Sequence, residues 1–238
     1  MTETAIATTN LGRQYGAKWA LRDCTLRIPA GRVVGVVGPA GAGKSTLMNM
    51  MVGLLHPSEG ELEVLGERVG PTSVLERVAH IAEEDALCRN FKVTDLLTAA
   101  RLFNARWTQR IAEDRLRERG ISLDSKVGEL SCGQRAQIAL TVALATTPEL
   151  LILDAPVTRL DPLARKETVS ALLAAQAETG CTVVVSAREV TELEQLCDHL
   201  VLLDRGELRL AGDTAELVRR HQLGLDELVA RHLAQPVG

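Results

Sequence analysis

"VVGVVGPAGAGKSTLMNMM", residues 33–51, decides the fold. Its first five positions are valines around one glycine, and a short unbroken apolar run of that kind reads as a strand buried on both faces. The run breaks at Gly38 into a loop that carries Gly41 and Gly43, and Lys44, Ser45 and Thr46 open a stretch with helical spacing. Gly38, Gly43, Lys44 and Ser45 fill the pattern G-x-x-x-x-G-K-[ST] in the strand–loop–helix context that gives the pattern meaning. Glycines let main-chain amides point inward, and those amides with the helix N-terminus form a nest for phosphate oxygens. A lysine there reaches the outer phosphates, and the hydroxyl after it ligates magnesium. Gly38, Gly41, Gly43, Lys44, Ser45 and Thr46 are therefore the candidate phosphate-binding residues.

A second strand completes this chemistry. "LLILDAPVTRLDP", residues 150–162, runs apolar into Asp154. A carboxylate at the C-terminal end of a buried strand stands where α/β sheets bind ligands, and beside a phosphate loop it is the candidate second magnesium ligand.

Further out, "AIATTNL", "CTLRI", "ELEVLG", "TVVVSA" and "HLVLLD" read as strands between Gly, Pro and charged boundaries. Helical spacing appears at 44–55, at 135–146 and at 161–180, the last ending on Gly180 as a C-cap would. Strands alternate with helices, which predicts an α/β fold: a P-loop NTPase core with a mainly parallel sheet, antiparallel strands at the N-terminus and an inserted helical subdomain. The expected division is a discontinuous core at 1–86 and 148–215, a helical insertion at 87–147 and a helical tail at 216–238.

Composition closes off other classes. The net charge of −4 gives no global basic field, so no nucleic acid partner is expected. No apolar run approaches the roughly 18–20 residues that span a bilayer, and "MTETAIATTN" lacks the basic and apolar regions of a secretory signal. Cys24, Cys88, Cys132, Cys181 and Cys197 are scattered with no C-x-x-C pair, which favours a reducing compartment over a disulfide framework or zinc site. The five histidines are dispersed as well.

At "ELSCGQRAQIALTVALATTPELLILDAP" the chain resembles the ATP-binding subunits of ABC transporters. The phosphate loop is similar to that family's "GPNGAGKST", Leu130–Gln134 ("LSCGQ") to its signature "LSGGQ", and Arg159–Pro162 ("RLDP") to its D-loop. The resemblance runs from about Thr4 to Leu217, with the motifs in the family's order. It implies two such subunits closing head-to-tail over two ATP molecules with Mg2+, each ATP between one subunit's phosphate loop and the other's signature. Ser131, Gly133 and Gln134 would then contact nucleotide across the dimer, and Tyr15 falls where the family stacks an aromatic on adenine. The implied partner is a separate transmembrane permease subunit, and the implied location is cytoplasmic, peripheral at the inner face of the cell membrane. The motif spacing is nearer to exporter-type than to importer-type subunits. Soluble relatives in DNA repair and translation carry long coiled-coil insertions or duplicated ATP domains, and this chain has room for neither.

Two departures from the family pattern, at 155 and 188, fall on hydrolysis, and three others accompany them. The family's catalytic glutamate follows the strand aspartate, and here that residue is Ala155. Its switch histidine is replaced by Arg188, its glutamine before the helical insertion by Glu83, a signature glycine by Cys132 and the asparagine of "GPNG" by Ala40. Alanine neither accepts a proton nor orients water, and a positioned acid–base group is worth about 10²–10⁴ in rate. Arginine has no acceptor, so Arg188 offers a donor to a γ-phosphate but not an imidazole's lone pair. Glu83 is the substitute candidate for orienting water and for a magnesium contact, with Glu189 and Asp161 behind it. The expectation is an ABC-type ATPase by resemblance whose own activity is slow or absent. It works as a homodimer that ATP clamps, or as a heterodimer with an intact ATPase subunit; a non-hydrolysing regulatory subunit is the alternative. Trp19 and Trp107 read as packing residues, and "EDRLRERG" (113–120) as a solvated helix face.

Overall fold

The computed structural model describes residues 4–69, 72–83, 87–156, 160–193 and 196–234. In chain order the elements are strands β1 (Thr4–Tyr15), β2 (Lys18–Pro29) and β3 (Val33–Val37), helix α1 (Lys44–Met51), β4 (Glu59–Val64), β5 (Glu67–Arg68), α2 (Thr72–Leu75), β6 (Val78–Ile81) and α3 (Val93–Phe103). They continue with α4 (Gln109–Glu118), α5 (Cys132–Ala145), β7 (Leu150–Leu153), α6 (Pro162–Thr179), β8 (Thr182–Ala187), β9 (His199–Asp204), β10 (Glu207–Asp213), α7 (Thr214–His221) and α8 (Leu225–Ala234). The chain forms two compact units, residues 1–75 with 182–238 and residues 76–181.

In the first unit, β1 pairs antiparallel with β2 and with β4, and β4 with β5. Gly16, at φ 58, makes the tight β1–β2 turn and sets Tyr15 opposite Lys18 and Gln14 opposite Trp19. Strand β3 is buried along its whole length and runs parallel between β8 and β9. Strand β10 folds back antiparallel on β9. Helix α1 packs against β2 and β4 and buries Leu47, Met48, Met50 and Met51. An eight-residue helix is unstable alone. Four buried side chains at about 1.5–3 kcal/mol each hold it in place. The sequence pattern carried this helix to residue 55. It stops at Met51, because Gly53 turns left-handed at φ 73 and leaves Leu54 68% exposed.

In the second unit, β6 and β7 pair in parallel with Ile81 level with Leu153. Helix α5 packs against α3, α4, α6 and β6. A core of Val93, Leu97, Ala112, Leu116, Ile121, Val127 and Ile138 lies among these helices, with Trp107 packed on its margin. Trp107 Nε1 also donates to Gln109 Oε1 at 2.8 Å. Helix α6 follows its sequence signals. Asp161 caps it by accepting from the amides of Leu163 (3.0 Å) and Ala164 (2.9 Å), Pro162 sits in its first turn, and Gly180 ends it at φ 67. Of the D-loop stretch, Arg159 lies outside the described residues. Among the described residues no helix is long and apolar enough to cross a membrane.

Candidate functional site

The first unit holds the phosphate loop. Strand β3 delivers the chain to Gly38, and α1 begins at Lys44. The Lys44 ammonium folds back over the loop and donates to the carbonyls of Gly38 (2.6 Å) and Pro39 (3.0 Å). Glycine is required at position 43: φ is 103, and a Cβ would stand 2.5 Å from the carbonyl oxygen of Ala20. The β9–β10 turn braces the loop from behind. The Gly206 amide donates to Ala42 O at 3.1 Å, while Gly206 O accepts from the Arg22 amide at 2.8 Å.

Beside the loop lies an open cavity of ≈ 300 Å³ lined by Tyr15, Trp19, Gly41, Lys44, Ser45 and Thr46, among others. The candidate stacking residue and the candidate phosphate ligands thus line the same cavity. Arg188 follows β8, whose last residue, Ala187, is level with Val37 of β3. It therefore leaves the sheet at the same end as the phosphate loop, and it is exposed.

The second unit holds the acidic candidates. Asp154 follows β7 and Glu83 lies just beyond β6, so both emerge from the C-terminal end of one parallel strand pair. The Asp154 amide donates to Ile81 O at 2.8 Å, and its side chain is buried. Burial pushes the neighbouring His80 imidazole below its usual pKa, and the Asp154 carboxylate opposes that shift. Ala155 stands at φ 49, in the left-handed region. For a residue with a Cβ that conformation costs roughly 1–2 kcal/mol. A cavity of ≈ 460 Å³ in this unit is bordered by Ala155, Glu83, His80, Cys132 and Arg135.

The signature residues form the leading end of α5, which starts at Cys132, three residues before the helical pattern read from the sequence. Ser131 Oγ accepts from the Gln134 amide at 3.1 Å, and Gln134 Oε1 accepts from the Ser131 amide at 3.0 Å. This is a reciprocal capping box. The S-x-x-Q spacing carried the signal, although the sequence reading took both residues only as nucleotide contacts. The first amides of the helix, those of Cys132 and Gly133, have no intrahelical acceptor and are the ones aimed outward. Arg135 donates to Leu130 O and, at 3.2 Å, to Cys132 Sγ. Gly133 has a packing reason: a Cβ there would lie 2.9 Å from the Cβ of Ala164 on α6.

Each donor set by itself suits one part of a magnesium–triphosphate. In one unit an ammonium, a helix start and a hydroxyl suit a polyanion. In the other, carboxylates at strand ends suit a hard cation. The sequence reading did not single out Lys18, which lines the cavity, and it took Trp19, which also lines it and is half-buried, as a packing residue. The signal was available, because the two-residue turn after Tyr15 forces these side chains to the same hairpin tip.

The family profile described as "ABC transporter" matches residues 21–158. The Nod factor export ATP-binding protein I of Rhizobium sp. (strain N33) is 34% identical over 235 residues, covering 93% of this chain and 75% of that protein. The bacitracin transport ATP-binding protein BcrA of Bacillus licheniformis is 31% identical over 210 residues, covering 86% of this chain and 68% of that protein. A solved structure described as an ATP binding subunit of an ABC transporter superposes with a TM-score of 0.85 at 27% identity, covering 96% of this chain and 99% of its own.

Proposed function

The chain belongs to the ABC transporter family, among its ATP-binding subunits, and from that premise we propose that it couples Mg-ATP binding and ATP-sandwich dimerisation to a separate membrane-spanning permease while hydrolysing little ATP itself. In this reading residues 1–86 and 148–215 form the nucleotide-binding core, 87–147 the helical subdomain with the signature, and 216–238 a helical tail. The single observation that supports weak hydrolysis is the pairing of a complete phosphate loop with an alanine directly after Asp154.

Lys44 and the loop amides bind the phosphates, Tyr15 stacks on the base, and Ser45 and Asp154 serve as magnesium ligands. Bound magnesium supplies charge neutralisation at the terminal phosphates. At the next position the chain has no group to hold an attacking water, since Ala155 ends at a methyl. Among the described residues Glu83 is the other carboxylate just beyond β6 and β7, and Arg188 supplies a donor without an acceptor. The signature amides of Cys132 and Gly133, with Ser131 and Gln134 fixing them, meet the nucleotide of a second subunit. An intact ATPase as that second subunit leaves one working site to reset the pair, which makes the heterodimer the preferred arrangement over a homodimer. The relatives named for Nod factor export support a permease of export type, and in this reading the subunit lies at the cytoplasmic face of the membrane. A regulatory partner that never hydrolyses is the second reading. It is favoured by the fact that both replacements, Ala155 and Arg188, fall on hydrolysis and neither on Lys44, Ser45 or Asp154.

One sample decides between these outcomes when ATP affinity, ATP-dependent dimerisation and phosphate release are measured together. Binding and dimerisation with little release are expected. No affinity for ATP would defeat the proposal. Turnover at the rate of intact ABC ATPases, abolished by Glu83→Ala, would defeat its slow-hydrolysis part.

A further inference from the structure

We propose that Arg13 is a positioning residue for the nucleotide base: it covers one face of the Tyr15 ring and presents the other face to the purine. The inference rests on the nucleotide-binding reading above and goes beyond it, because the family pattern assigns a role to the aromatic residue and not to Arg13.

Arg13 and Tyr15 lie two residues apart on β1, so strand periodicity sends their side chains to the same face. The Arg13 guanidinium carbon stands over the Tyr15 ring, 4.9 Å from its centroid. That is within the range of a cation–π contact. The guanidinium is itself tethered, since Arg13 Nη1 donates to the carbonyl of His56 at 2.9 Å. The tether stands on a fixed frame: the Ser58 amide donates to Gly12 O at 2.8 Å, and the Gln14 amide donates to Ser58 Oγ at 3.1 Å. Arg13 Nε is buried and has no hydrogen-bond acceptor among the described residues.

Tyr15 needs such a support. It is 48% exposed, at the last residue of its strand, before the turn at Gly16. A free ring there samples several rotamers, and a stacking ligand must order it on binding. With Arg13 holding the ring, that ordering is done beforehand. Occupation of one ring face also limits the site to a single stacked base. Lys44 and Ser45 line the same cavity as Tyr15, so a base on the open ring face and phosphates on the loop are within reach of one ligand.

The test separates base from phosphate by titrating the full chain calorimetrically with Mg-ATP and with Mg-tripolyphosphate, which has no base. Tyr15→Ala is expected to weaken ATP and leave tripolyphosphate unchanged. Arg13→Ala is expected to raise the Kd for ATP about two- to fivefold, the range of an exposed cation–π contact, again with tripolyphosphate unchanged. Arg13→Lys retains the charge and stays nearer wild type than Arg13→Gln, which retains a donor for His56 but no charge. In a Tyr15→Ala background, removing Arg13 changes neither ligand. Equal losses for both ligands, the same loss without Tyr15, or no loss at all would overturn the assignment. Wild-type protein that binds neither ligand fails differently, since it removes the nucleotide-binding reading underneath.

Discussion

Ala155→Glu asks whether one carboxylate separates holding a nucleotide from splitting it. The substitution is structurally mild. Position 155 is left-handed at φ 49, and alanine and glutamate both carry a Cβ, so the backbone cost is present in both proteins and cancels. The side chain borders a cavity of ≈ 460 Å³, which accommodates the extra atoms without displacing the core. The change in folding stability is therefore expected to stay within about 0.5 kcal/mol. The catalytic effect is expected to be much larger. A positioned acid–base group lowers a barrier by about 3–5.5 kcal/mol, or 10²–10⁴ in rate. Arg188 persists at the switch position, which puts the expected gain near the lower bound, about a hundredfold in phosphate release. The assay is steady-state phosphate release at saturating Mg-ATP, with melting temperature and ATP affinity measured on the same preparation. A folded, ATP-binding variant that gains less than about tenfold would refute the reasoning. The fault would then lie with Arg188 or with the missing partner rather than with position 155.

Other expectations can be checked independently. Lys44→Ala should weaken ATP and tripolyphosphate alike by about 10–100-fold, the worth of a charge-assisted hydrogen bond, read by calorimetry. Gly133→Ala should cost about 1 kcal/mol net, because overpacking against Ala164, 2.9 Å away, at about 1–3 kcal/mol outweighs the helix propensity gained; Ala164→Gly in the same chain should restore the melting temperature. Glu149 is held down to about 2, first by its hydrogen bond from Arg77 and then by that from Arg106. A carboxyl with a lowered folded pKa stabilises above its unfolded value, here about 4.5, and the contribution disappears as pH falls from there towards 2. Its side chain is 44% exposed, so solvent screening limits the effect to about 1 kcal/mol or less. The stability gap between wild type and Glu149→Gln should accordingly close across that acid window in denaturant titrations. Cys88 and Cys132 are exposed and Cys24, Cys181 and Cys197 buried, with burial driving the Cys24 thiol up to about 12. A thiol reagent should label the first two quickly and the other three only on unfolding.

Much of this architecture was legible because its signals were local. A valine run, a glycine loop and a lysine defined β3, the phosphate loop and the start of α1 without reference to the rest of the chain. Asp161, Pro162 and Gly180 marked both ends of α6 in the same way. Strands β6 and β10 were not read. In "VAHI" only Ala79 is buried, and "ELRLAGD" alternates polar with apolar only over its first four residues, so both signals are short. At the site, Lys44, Ser45 and Asp154 were legible as candidates from their chemistry alone. Arg13 was not, because its meaning comes from standing over Tyr15. Ser131 and Gln134 were named for ligand contact, and their mutual cap became visible only with the start of α5 placed.

That cap determines the state in which α5 meets any partner. Its first turn is already wound and its polar side chains are mutually engaged, so no segment has to fold during association. Encounter at this turn then needs no local folding, which favours rapid assembly. Amide exchange would report this directly, with Gln134 slow to trade its proton for solvent deuterium and Cys132 and Gly133 trading theirs almost at once.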